Sequence, residues 1–110
     1  MQFFGHPPVE ARAWLRDNPG VSVFATNRFG WTERARAFVD ALYAAGAIEV
    51  LVDNPGVDSD GDPYADTLLV RFDGNRREIE RFCEERGPGS VPEGDFTMHV
   101  RGNEIRLWWD

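Results

Sequence analysis

Apolar residues change their spacing along this chain, and each change marks an element. In WTERARAFVDALYAAG, residues 31–46, the side chains of Ala35, Phe38, Val39, Leu42 and Ala45 fall three or four positions apart, the repeat of one helical face. Thr32 is placed to cap that helix and Gly46 to stop it. In AIEVLVD, residues 47–53, the period drops to two: Ile48, Val50 and Val52 alternate with Glu49 and Asp53, and Leu51 interrupts the polar side. DTLLVRF, residues 66–72, repeats the strand pattern, with Leu68, Val70 and Phe72 on one side and Thr67, Leu69 and Arg71 on the other. VSVFATN, residues 21–27, sets β-branched and aromatic residues between breakers and reads as a strand with Phe24 facing away from Val21, Val23 and Ala25.

Two further helices are expected. PPVEARAWLRDNPG opens with prolines suited to a first helical turn and closes on Asn18-Pro19-Gly20, which predicts a short helix over 9–17 anchored by Trp14 and Leu15. NRREIERFCEERG pairs Asn75 with Glu78 at capping-box spacing and ends at Gly87, with Ile79, Phe82 and Cys83 as its inner stripe. The Gly, Pro and Ser residues of 87–94 then make a loop.

The clearest local signal is FTMHVRGNEIRLWW, two alternating runs around Gly102-Asn103, a pair suited to the positive φ of a tight hairpin. A two-residue turn fixes the register. Arg101 faces Glu104, Val100 faces Ile105, His99 faces Arg106, Met98 faces Leu107, Thr97 faces Trp108 and Phe96 faces Trp109. Every second pair is apolar on both strands, so pattern and turn chemistry agree.

Taken in order, these elements predict an α+β domain. Its core is a ferredoxin-like βαββαβ unit, an antiparallel sheet with two helices on one face, extended by an amino-terminal helix and a carboxy-terminal hairpin strand. In that layout the strand 96–101 lies beside 21–27 and the last strand takes the outer edge. The second sheet face is left open and carries Phe24, Leu51, Leu69 and Trp108 among polar residues that include Glu49, Thr67, Arg71, Thr97, His99 and Arg106.

Composition narrows the function classes. The 110 residues suit a single domain, 1–110, and 42% hydrophobic residues with 13% aromatic suit a packed core. A net charge of −7 repels phosphate backbones and argues against nucleic-acid binding. All twelve basic residues are arginine, which excludes a lysine Schiff base, a P-loop lysine and a lysine general base. Cys83 is the single cysteine, so no internal disulfide is expected. No stretch reaches the ~18 apolar residues of a membrane span, and the amino terminus has no export signal. A reducing cytoplasm is the expected location.

Candidate chemistry is sparse. VDNPGVDSDGDPYADTLLV, residues 52–70, holds five aspartates and no base. Asp58, Asp60 and Asp62 have the spacing of the first three calcium ligands of an EF-hand, but the sixth position is Pro63 where glycine is needed and the twelfth is Leu69 where a glutamate belongs. A solvated loop, without calcium, is the expectation. TNRFGW leads into a helix amino terminus where Arg28 and backbone N–H groups could hold a carboxylate or phosphate, though one arginine and one glycine make a weak anion motif. His99 would sit on the open face near Arg71 or Arg106, with Ser22 the nearest hydroxyl by face and no third group to complete a catalytic set. No cofactor is implied.

The open face is therefore the expected working surface. Contiguous exposed apolar area marks interfaces, and tryptophan is prominent among their anchors. The expectation is a non-catalytic domain that binds a protein partner or a second copy through Phe24, Leu51, Leu69, His99 and Trp108. The competing class is a small-molecule or anion sensor, or a small enzyme, that uses Arg28 and its loop. A third outcome would have the amino-terminal helix fold over the open face and bury it within one chain.

Overall fold

A computed structural model describes residues 7–18, 32–57, 61, 63–73, 77, 81 and 96–109. The expected strand 21–27, with Ser22, Phe24 and Arg28, lies outside these, as do Asp58, Asp60 and Asp62. Of the segment 75–87, Arg77 and Arg81 are described; both are helical and exposed.

Strand β1 (Val9–Glu10) leads directly into helix α1 (Ala11–Asp17), and helix α2 spans Thr32–Ala44. Five strands, β1, β2 (Glu49–Val52), β5 (Thr67–Arg71), β6 (Phe96–Arg101) and β7 (Glu104–Trp109), form one sheet in the order β1-β2-β5-β7-β6, and every pair is antiparallel. Between β2 and β5, the short strands β3 (Gly56–Val57) and β4 (Pro63–Tyr64) pair with each other. The aspartate-rich segment is thus a small hairpin at its base, where Asn54 takes the positive φ (52°) that asparagine tolerates better than most residues.

The α+β architecture with an antiparallel sheet is as expected, but the strand order is not the ferredoxin-like one. That layout sets the strand 21–27 beside residues 67–71, whereas β5 is bonded to β2 on one side and to β7 on the other. The last strand lies inside the sheet, not at its outer edge. Side-by-side pairs account for this choice: Val70 meets Ile105 and Leu68 meets Leu107 on one face, and Arg71 meets Glu104 on the other.

The core lies on the helix side. Val50, Val52, Leu68, Val70, Ile105 and Leu107 of the sheet pack with Ala11 and Leu15 of α1 and with Ala35, Phe38, Val39 and Leu42 of α2. Burial of each larger side chain is worth about 1.5–3 kcal/mol. The α1 helix joins the same layer as α2, with Trp14 partly buried against that cluster. It does not cover the opposite face, so that possibility falls. Leu15 and Ala11 are four residues apart, and both point into the α2 side. Arg12 Nε donates to Asp40 Oδ1 at 2.7 Å, and Arg36 Nη2 donates to the Leu15 carbonyl at 3.2 Å.

Val9 and Glu10, expected to be helical, are extended because they supply an edge strand for Val52 and Leu51. Glu10 then joins α1 to α2. Its Oε1 accepts from the Ala13 N–H at 2.7 Å and caps α1, and its Oε2 accepts from the Tyr43 hydroxyl at 2.8 Å. The same hydroxyl accepts the Val50 N–H at 3.0 Å, on β2 just beyond the end of the two-residue β1. Arg12 stacks over the Tyr43 ring, 4.3 Å from its centroid. Burial works to raise the Glu10 pKa. The bonds from Tyr43, Ala13 and Arg12, with the Arg12 charge, outweigh it, and the carboxyl ends below its ordinary 4.5. Tyr43 is pushed above its ordinary 10.0, first by burial and then by Glu10, so its hydroxyl keeps its proton.

Candidate functional site: the sheet face opposite α1 and α2

Cross-strand register arranges the face opposite the helices in rows. Glu49, Arg71, Glu104 and Arg101 are successive partners across β2, β5, β7 and β6. The next row is Leu51, Leu69, Arg106 and His99. The third is Thr67, Trp108 and Thr97. Leu51, Leu69 and Trp108 therefore do share one face, as the alternation implies. His99 stands directly opposite Arg106 and is exposed.

Two arginines organise this surface. Arg71 Nη1 meets Glu49 Oε1 at 2.9 Å and its Nε meets Glu104 Oε2 at 3.2 Å, a carboxylate on either side. The bonds it donates to Glu104 and Glu49 push its already high pKa further up, so it remains charged. Arg106 Nη1 meets Asp53 Oδ2 at 2.8 Å. Asp53 follows β2, two strands from β7, so the Arg106 stem runs across β5 beside Leu69. Long arginine stems shield apolar neighbours in this way while the charge stays wet. Exposed pairs of this kind add little stability, so their role is covering and orientation.

Leu51 and Leu69 are 7% and 6% exposed, although neither belongs to the helix-side core. The expectation of an open leucine patch is corrected: the monomer already buries both. Trp108 differs, with 44% of its surface exposed in the row beyond Leu69 and Arg106. Ile48 is 60% exposed, outside the rows that carry Trp108. Among the described residues no three His, Cys, Asp or Glu gather as a metal set, and no helix is long and apolar enough to cross a membrane.

Protein-family models, curated proteins and solved structures give no match to this chain.

What the face offers is a half-exposed indole across from Thr67, with ion pairs in the neighbouring rows. Such a surface can dock another surface. Phe24, Arg28, Asp58, Asp60 and Asp62 lie outside the described residues. The sequence-level view missed the ladder of charges. Glu49, Arg71 and Arg106 all read as outward-facing, but their partners depend on β5 lying beside β7, and local pattern does not specify which non-consecutive strands pair.

Proposed function

We propose that this chain is a non-catalytic interaction domain that docks a protein surface, another molecule's or a second copy's, through the sheet face opposite α1 and α2, around Trp108. The observation that carries the reading is the half-exposed indole on a face where the leucines are buried and both central arginines are held by carboxylates. A fixed surround of this kind lets one aromatic side chain act as anchor at little ordering cost. A reducing cytoplasm suits the lone Cys83, which stays a thiol there.

A photo-crosslinking residue placed at position 108, and separately at the exposed Ala37 on α2, tests the assignment. Expected are discrete protein adducts from position 108 and none from 37. Equal labelling from both positions, or none from 108, would remove the basis for this function.

A further inference from the structure

We infer that the occupant of this face is a second copy of the chain, related by a twofold axis parallel to the strands and lying between β5 and β7. The inference rests on the interaction reading above and names the partner. The row Glu49, Arg71, Glu104, Arg101 alternates in sign across four neighbouring strands and sums to zero. Turned over about that axis, β2 lies above β6 and β5 above β7. Glu49 then faces Arg101 of the other copy, and Arg71 faces its Glu104, so opposite charges meet at all four positions.

The other rows fit the same operation. Trp108 faces Thr67 of the second copy, and Leu69 faces Arg106. An axis across the strands fails this test. It would turn the charged row onto the row of Thr67, Trp108 and Thr97, where Arg71 and Glu104 find no partner. Sheets stacked face to face prefer nearly aligned strands, which the chosen axis supplies.

Arg101 adds a second argument. It is exposed and has no ion pair among the described residues, because its cross-strand neighbour Glu104 is bonded to Arg71. Glu49, at the opposite end of the row, has Arg71 as its one ion-pair partner among the described residues. Three strand spacings of about 4.8 Å separate the two ends, so within one copy they do not touch. Between copies they coincide, twice per dimer. The local neutrality of the row also keeps the face from sharing the repulsion that a net −7 imposes on the molecule as a whole.

Sedimentation of the full chain tests this, with variants Glu49→Arg, Arg101→Glu and Trp108→Asp. The wild type should self-associate, and each charge variant alone should associate at least about fivefold more weakly. An equimolar mixture of the two charge variants should recover wild-type association, because a heterodimer restores both end pairs; misfolded chains would not recover. A mixture no better than its components overturns the arrangement, and a wild type that stays monomeric to about 1 mM overturns the second copy as partner. Trp108→Asp separates the two levels. Association lost in that variant while the mixture fails leaves the face standing without this geometry, whereas association unchanged by Trp108→Asp sinks the face itself.

Discussion

Tyr43 shows how much one side chain can settle. Its hydroxyl donates to Glu10 and accepts from Val50, so Tyr43→Phe orphans a strand N–H and strips the carboxylate of a partner. We expect a loss of about 1–3 kcal/mol in urea unfolding. Glu10 contributes a pH dependence. Its folded pKa lies below the unfolded value, so its contribution is present above the unfolded pKa, near 4.5, and is lost as pH falls through the folded one. Unfolding midpoints of the wild type should therefore drop more steeply below pH 4.5 than those of Glu10→Gln; parallel curves would show that Glu10 does not carry the effect. None of this was legible in the sequence. Glu10 lies within the segment whose pattern predicts a helix, and only the fold brings it 2.8 Å from a residue 33 positions away.

Elements with strong local signals came through well, and those decided by distant partners did not. The α2 helix buries Ala35, Phe38, Val39 and Leu42, as the spacing requires, and all six hairpin pairs of β6 and β7 have the expected register. Gly102 alone of the turn pair takes positive φ (58°), as the first central residue of a type II′ turn does. By contrast β1 and the β3–β4 hairpin are two residues per strand, too short for any periodicity to register. Adjacent positions on β5 give a test of the two faces. Leu68→Ala empties helix-side core and should cost about 2–5 kcal/mol. Leu69→Ala should cost roughly 1–2 kcal/mol, since the Arg106 stem above it can settle into the space. Equal losses in denaturant unfolding would mean that both faces are packed alike.

At the scale of the whole molecule, which residues share a face and which of them are exposed turned out to be separate questions. Alternation correctly put Leu51, Leu69 and Trp108 together, but an apolar residue on an outward position is not thereby wet. For Leu69 the neighbour depends on strand order, which brings Arg106 and Asp53 together across β5. The burden of recognition shifts from four apolar residues to one indole and a charge pattern, and salt dependence reports that shift. Self-association through Glu49 and Arg101 should weaken as ionic strength rises above about 0.15 M, where the screening length falls below 8 Å. Association that instead strengthens steadily with salt would point to an apolar contact.

The phenol at the end of β1 has a further consequence. An exposed strand margin is an invitation to stray chains, and among the described residues β1 guards two residues of β2. By occupying the next backbone amide with a side chain, the molecule plugs the gap without lengthening the strand, and thereby denies foreign polypeptide a foothold from which runaway polymerisation could begin.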